Sequence, residues 1–223
     1  METVPRPSPD QLRFEQLATL ETPRLRPGIA ARALFGTMDL IYGRGGSLGK
    51  FRVLEVVARV PYIAWENVAY VAITHTHSAP NFARGIHEEV SAIREQQDNE
   101  FFHLLIIEEL LQRRGERQGF FRYRAIPQVM AWLYYHLSWL LYVVRPRLSH
   151  ELNAHFEDHA EHEYMRYVAD HPELDDEPWV TEFRDDYGDV ATVGDLLRQI
   201  GLDERHHKQE SLDRIEAARF GPR

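Results

Sequence analysis

The sequence predicts an all-α protein, and two observations lead to this fold class. First, helical-looking segments are separated by turn residues: four glycines stand between residues 43 and 49, and Pro146 falls where one helix must end. Second, Glu-x-x-His occurs on two of these segments, as Glu100/His103 and Glu204/His207. Residues three apart share one face of an α-helix, so this spacing suits helical side chains that act together.

The helical segments can be placed along the chain in order. A proline-rich arm over residues 1–27 precedes them. We expect helices near residues 28–43, 50–73, 85–114, 126–144, 147–170 and 190–218. Residues 171–189 contain two prolines and an acidic run, and this composition predicts a solvated loop. A chain of 223 residues is expected to form one domain, so residues 1–27 are assigned to the arm and 28–223 to the helical domain.

The composition excludes some classes of protein. The chain has no cysteine, which excludes disulfides, iron–sulfur ligation and thiolate redox chemistry. The first ten residues hold no apolar signal segment, so we expect a bacterial chain that faces the cytoplasm. Five arginines lie between residues 113 and 124, but they flank an apolar segment and do not form a separate basic face. Nucleic-acid binding is therefore not expected.

The two Glu-x-x-His motifs are candidates for metal binding. A single motif of this kind is more often a surface ion pair on a helix. Glu100 and His103, however, run directly into the apolar residues 104–107, so they lie beside a buried stripe. Burying an unpaired carboxylate and imidazole is costly, and a shared metal ion removes that cost. Two such motifs with two further glutamates, Glu55 and Glu157, make the ligand set of a carboxylate-bridged di-iron site.

Four sequence blocks carry a resemblance to a known family. Residues 54–62, 99–110, 132–164 and 203–207 read LEVVARVPY, NEFFHLLIIEEL, WLYYHLSWLLYVVRPRLSHELNAHFEDHAEHEY and DERHH. They resemble, in the same order, the motifs of the alternative oxidase family, and most of all its plastid terminal oxidases. The resemblance implies a ferritin-like four-helix bundle with a di-iron core and extra helices at the membrane interface. The implied ligands of two Fe ions are Glu55, Glu100, His103, Glu157, Glu204 and His207.

The resemblance also implies roles for residues beyond the ligands. Tyr164 matches a family tyrosine placed near the metals and given a redox role, so it is the candidate catalytic residue. Asn99 and Asp203 match positions expected to hydrogen-bond around the site. The implied quinol pocket is lined by Lys50, Arg52, Leu54, His159 and Ala160.

The chain departs from the family pattern in three places. Val56 replaces the threonine that usually follows the first ligand, and Lys50 stands where the family has an arginine. The first and second ligands are also farther apart than in the family, and the excess is assigned to residues 74–80. His75 and His77 lie there, and we expect an exposed pair in a turn. Glu21 also follows a leucine and precedes a threonine, but Pro23 comes next and Glu21 is rejected as a ligand.

The segment after the basic cluster is a candidate for membrane contact. Residues 125–144 carry no Asp, Glu, Lys or Arg, include five Trp or Tyr rings, and are closed by Arg145. This length could span a bilayer. Since the helices on both sides must reach one metal centre, we expect an interfacial, monotopic helix, with a buried core helix as the alternative.

The function implied by the resemblance is a cyanide-resistant quinol oxidase that pumps no protons. Electrons would pass from ubiquinol or plastoquinol to O2, forming water. The expected protein is a homodimer, bound peripherally to the cytoplasmic face of a bacterial inner membrane. Three alternatives stay open at this point: a soluble ferritin-like ferroxidase or iron store, a di-iron hydroxylase with a reductase partner, and a bundle with structural acids only. The same ligands also suit manganese.

Overall fold

The computed structural model describes residues 6–216, and helices make up most of this range. The long helices are α1 (Pro9–Glu21), α2 (Ile29–Tyr42), α3 (Leu48–Ala58), α4 (Val60–Thr76), α5 (Pro80–Arg113), α6 (Ile126–Val144), α7 (Pro146–Asp170) and α9 (Val193–Glu216). Between α7 and α9 stand a 3-10 turn, Pro172–Asp175, and the short helix α8, Arg184–Tyr187. A π-helical turn, Phe121–Ala125, leads into α6. The predicted all-α fold is confirmed, and within residues 6–216 no strand forms beyond one isolated bridge, Pro178 with Thr192.

Helices α3–α4, α5, α7 and α9 form the central bundle. Helices α7 and α9 pack against each other along their length, α3 and α4 pack on α5, and α6 covers α4 and α7. The buried core between them includes Leu54, Ile107, Phe156 and Leu197. A second apolar cluster, which includes Trp65 and Ile93, fills the space between α4 and α5.

The segment predicted as one helix near 50–73 is two helices that meet at Arg59. Pro61 has no backbone N–H, so it cannot bond the carbonyl of Val57, and the Arg59 N–H bonds that carbonyl instead. The chain turns at this point without leaving the bundle. Glu55 before the turn and Tyr62 after it both remain buried in the core.

The predicted N-terminal arm contains a helix. Ser8 caps α1 by accepting from the Gln11 N–H, and the Gln11 side chain accepts in return from the Ser8 N–H. Buried Gln16 donates to the carbonyl of Met165 at 2.8 Å, and Thr19 donates to Glu161 at 2.6 Å. Helix α1 therefore packs on α7, and it also contacts α9. Residues 1–5 of the arm lie outside the described range, and the boundary at residue 27 stays a prediction.

The prediction of a solvated loop over residues 171–189 is wrong for much of that segment. Leu174, Trp179 and Tyr187 are buried. Asp175, part of the acidic run, makes a two-pronged salt bridge with buried Arg198. Local composition missed these contacts because they are made with α5 and α9, which are distant in sequence.

Helix α6 has one buried and one exposed apolar face. Tyr134, Ser138 and Tyr142 point inward. The outer face carries exposed apolar side chains: Val129, Trp132, Leu133, Leu137, Trp139, Leu140, Val143 and Val144. Helix α2 adds exposed Ile29 and Leu40. Within residues 6–216, no helix combines the length and the hydropathy needed to cross a membrane.

Candidate metal centre

The six predicted ligands converge in the core of the bundle. Glu55 comes from α3, Glu100 and His103 from α5, Glu157 from α7, and Glu204 and His207 from α9. All six are buried, and the four glutamates are at most 1% exposed. Each Glu-x-x-His pair places its carboxylate and imidazole on the same face of its helix, as the spacing predicts.

The ligand atoms form two overlapping groups. Glu55, Glu100, His103 and Glu204 bring one atom each within 4.8 Å of one another, and so do Glu100, Glu157, Glu204 and His207. Glu100 and Glu204 belong to both groups, so the two groups would share these carboxylates in holding metal ions. We call Glu55 with His103 the Glu55 half-site, and Glu157 with His207 the Glu157 half-site.

The hydrogen-bonding state of these atoms fits a pair of cations. Within residues 6–216, one carboxylate oxygen (Oε2) of Glu55, Glu100 and Glu157 has no hydrogen-bond partner, and neither oxygen of Glu204 has one. His103 Nδ1 is likewise without one, at 3.2 Å from Glu204 Oε1. Buried polar atoms are normally paired, so such a cluster needs an explanation. Carboxylate and imidazole donors around two positions suit iron or manganese.

The electrostatics lead to the same conclusion. Burial and the neighbouring carboxylates raise the pKa of Glu55 to about 7 and that of Glu157 to about 8. The pKa of Glu204 is raised well above its usual value for the same reasons. Burial also acts on Glu100, but the nearby His103 and His207 imidazoles, the second of which donates to Glu100 Oε1, outweigh it and lower its pKa. Without cations the cluster holds protons, which metal ions would displace on binding.

Asp203 orients one of the imidazoles. Its Oδ2 lies 3.2 Å from His103 Nε2, and since a carboxylate only accepts, Nε2 carries the proton and Nδ1 faces the ligand cluster. The Tyr187 hydroxyl donates to the same oxygen at 2.8 Å, and Gln199 donates to Oδ1 at 2.8 Å. The sequence analysis missed Tyr187 and Gln199. Asn99, predicted to act alongside Asp203, makes no hydrogen bond to a ligand among the described residues, and its side-chain oxygen is buried without a partner.

Two buried tyrosines contact the carboxylates at the ends of the centre. The Tyr164 hydroxyl donates to Glu55 Oε1, and its ring stacks on Phe51 with centroids 4.2 Å apart. The Tyr62 hydroxyl donates to Glu157 Oε1 at 2.8 Å. Sequence analysis named Tyr164 and missed Tyr62. A signal existed, since Tyr62 is the last residue of the block 54–62 that resembles the family motif carrying Glu55.

The residues predicted to line a quinol pocket occupy two places. Lys50 is buried, donates to Asp39 at 2.8 Å, and lies 3.7 Å from Glu163. His159 stacks on the ring of Phe35 near this group, and its burial lowers its pKa to about 4. Arg52 pairs instead with Glu108 of α5 at 2.8 Å.

Two of the positions predicted to line the quinol pocket are in the core, and the three residues not expected to bind metal are exposed. Leu54 and Ala160 are fully packed in the core. His75 and His77 are exposed near the turn between α4 and α5, and Glu21 is exposed at the end of α1. None of these three is brought to the metal centre.

Comparison with known proteins identifies the family of the chain. The family described as "Alternative oxidase" matches residues 29–212 of the chain. The chain is also 31% identical over 131 residues to a protein named "Ubiquinol oxidase 4, chloroplastic/chromoplastic" from Arabidopsis thaliana. This match covers 59% of the chain and 34% of the relative, so the chain corresponds to about a third of that protein's length. Residues 29–212 include all six predicted ligands, and the chain belongs to the alternative oxidase family.

Proposed function

We propose that the chain is a quinol oxidase that transfers electrons from a membrane quinol to O2 at a di-iron site and forms water. The observation that carries this proposal is the convergence of four buried glutamates and two histidines around two ion positions. Family membership and the name of the Arabidopsis relative support the substrate class. Two quinols would be oxidised to two quinones for each O2 reduced to two waters, which balances four electrons and four protons.

The residues of the chain provide the setting for this reaction. Two bound irons would supply the redox chemistry between quinol and oxygen. Glu55, Glu100, His103, Glu157, Glu204 and His207 would hold them, and Asp203 fixes the His103 tautomer. The Tyr164 hydroxyl keeps its proton and donates it in a hydrogen bond to Glu55, in a pocket closed to solvent. Tyr164 can give one proton and one electron during oxygen reduction and recover both from the quinol. The closed core also excludes water from the reacting atoms.

The outer surface supports access for an apolar substrate. A cleft of about 320 Å³ between α2 and α6 is lined by apolar side chains, including Leu34, Met130 and Leu137, with Tyr134 at its inner side. The Tyr134 ring packs against Phe156, the residue before Glu157, with centroids 6.2 Å apart, so this side of the cleft approaches the metal centre. We propose that the exposed apolar face of α6 lies in the membrane interface and that the cleft admits the quinol from the lipid.

Further features of the proposal rest on the family resemblance. These are a peripheral, monotopic attachment to the cytoplasmic face of a bacterial inner membrane, a homodimer, ubiquinol or plastoquinol as substrate, cyanide resistance, and the absence of proton pumping. Each is open to a separate assay. The chemical core of the proposal, quinol-driven oxygen reduction, is tested first.

Oxygen uptake by iron-loaded, detergent-purified protein with a short-chain quinol and cyanide tests the function. We expect uptake by the wild type and by Glu66→Ala, which removes a glutamate paired with Arg94 outside the centre. We expect none from Glu157→Ala. No uptake despite two bound irons would reject the proposal. Uptake driven by Fe(II) alone would then indicate a ferroxidase, and a requirement for a reductase would indicate a hydroxylase.

A further inference from the structure

In both half-sites of the metal centre, the outer glutamate receives a hydrogen bond from a tyrosine that is not one of the predicted ligands. In each, a buried tyrosine donates to the Oε1 atom of the outer glutamate: Tyr164 to Glu55, and Tyr62 to Glu157. In each, Oε2 of that glutamate has no hydrogen-bond partner within residues 6–216. One oxygen is thus held by a phenol while the other is left for a metal ion.

The direction of the hydrogen bond at Tyr62 is set by its other neighbour. Asn153 donates its amide N–H to the Tyr62 oxygen at 3.1 Å and to Ser211 Oγ at 3.0 Å. Since the phenolic oxygen already accepts from Asn153, its own proton points to Glu157, 2.8 Å away. The carboxylate of Glu157 therefore receives a directed donor at Oε1.

The ring of Tyr62 contacts the second ligand of the same half-site. It meets the His207 ring edge to face, with centroids 6.0 Å apart. On its other side it meets the Trp65 ring edge to face at 5.3 Å. Trp65 is itself fixed, because its Nε1–H donates to Ser149 Oγ at 2.8 Å. Tyr62 thus touches both residues that are specific to the Glu157 half-site, and its own position is held by packing.

On these contacts we propose that Tyr62 is a positioning residue of the Glu157 half-site, the counterpart of Tyr164 at the Glu55 half-site. The Tyr62 hydroxyl holds Glu157 Oε1, so that Oε2 is left for the ion. The Tyr62 ring packs against the His207 ring and restricts its position. This inference rests on the proposed two-ion site. It assigns Tyr62 an effect on the affinity for only one of the two ions. A residue that contributed only to folding would affect the affinity for both.

Anaerobic titration of the metal-free chain with Fe(II), followed by calorimetry, tests this assignment. The wild type is expected to bind two ions in two resolvable steps. Tyr62→Phe, which keeps the ring and removes the hydroxyl, is expected to weaken one step by about tenfold and leave the other unchanged. Tyr42→Phe is the matched control: its buried hydroxyl donates to the carbonyl of Arg122 and contacts no ligand, so both steps should be retained.

A second comparison separates positioning from folding. Glu157→Ala should abolish one step, and adding Tyr62→Phe to that variant should leave the remaining step unchanged, because Tyr62 acts through Glu157. If Tyr62→Phe weakens both steps alike, weakens neither, or weakens the remaining step in the Glu157→Ala chain, the assignment is overturned. If Tyr62→Phe fails to fold, Asn153→Ala replaces it in the test. This variant keeps the phenol but removes the donor that directs the Tyr62 proton to Glu157, so it must weaken the same single step.

This test is independent of the oxidase assay. A chain that shows the expected binding pattern but no quinol-driven oxygen uptake would retain Tyr62 as a positioning residue and lose the proposed function. A chain that oxidises quinol but binds iron identically with and without the Tyr62 hydroxyl would retain the function and lose this inference.

Discussion

The hydroxyl of Tyr187 donates to Asp203 at 2.8 Å, on the same carboxylate oxygen that faces His103 Nε2. The ring of Tyr187 also meets the His103 ring edge to face, with centroids 5.5 Å apart. A residue in the connection between α7 and α9 thus helps to fix both the tautomer and the plane of the His103 imidazole, a candidate metal ligand. This contact makes the connection part of the candidate site.

Tyr187→Phe should therefore weaken the metal centre. Asp203 would lose a donor and hold His103 less firmly, and loss of an orienting partner of this kind costs about tenfold or more in metal affinity or activity. Metal content after dialysis and quinol-driven oxygen uptake measure the effect. Tyr42→Phe removes a comparable buried hydroxyl away from the ligands and should leave both unchanged. Equal behaviour of the two variants would contradict a role for Tyr187.

Tyr164→Phe should affect turnover more than metal binding. The variant keeps the ring stacked on Phe51 but removes the proton that Tyr164 shares with Glu55. We expect the oxidation rate to fall by about a hundredfold or more, the scale of a lost proton-transfer group. Oxygen uptake and iron content are measured on the same sample. Retention of the wild-type rate would remove Tyr164 from the mechanism.

Asp175→Asn should destabilise the fold. Asp175 is the partner of the buried Arg198 guanidinium, with Arg198 Nη2 at 3.0 Å from Oδ2, and Asp195 is the other nearby carboxylate. Removing the charge of Asp175 costs about 1–2 kcal/mol, because its side chain is 29% exposed and buried Arg198 keeps Asp195 as a partner. Urea unfolding of the wild type and the variant at neutral pH measures the difference. Asp10→Asn, at an exposed pair with Arg13, should change stability by less than about 0.5 kcal/mol.

The same pair predicts a pH dependence with a definite sign. Hydrogen bonds from Arg198 lower the pKa of Asp175 in the folded chain. A carboxyl whose pKa is lowered by folding stabilises the fold fully above its unfolded pKa of about 4, and this stabilisation is lost as the pH falls through the folded pKa. The difference in unfolding free energy between wild type and Asp175→Asn should thus be constant near neutrality and shrink in acid. A difference that grows below about pH 4 would contradict this account.

The convergence of the six candidate ligands could be predicted from the sequence because each carries a local signal. The helical Glu-x-x-His spacing indicates two pairs, Glu100 with His103 and Glu204 with His207. The other two glutamates, Glu55 and Glu157, lie in segments that resemble family motifs. The order of these segments then implies the bundle. All six positions therefore follow from residues near them in the chain.

The contacts around the ligands could not be predicted in this way, because they join residues that are distant in sequence. Tyr62 bonds a carboxylate 95 positions away. Tyr187 belongs to a segment whose prolines and acids predict a solvated loop, but it is buried and contacts His103 of α5 and Asp203 of α9. Helix α1 carried its own capping signal at Ser8 and Gln11, but the prolines around it favoured an arm.

Membrane attachment should depend on the outer face of α6. Trp132 and Leu133 are 61% and 56% exposed, and burying such side chains in an apolar phase is worth about 2 kcal/mol each. Trp132→Ser with Leu133→Ser should lower binding to lipid vesicles by at least about tenfold. Because both side chains are largely solvent-exposed, the unfolding free energy should change little. The control pair is Phe14→Ser with Leu17→Ser on α1, which are 68% and 61% exposed and lie on a different helix. Equal loss of vesicle binding in the two double variants would show that general surface hydrophobicity, and not the α6 face, holds the chain at the membrane.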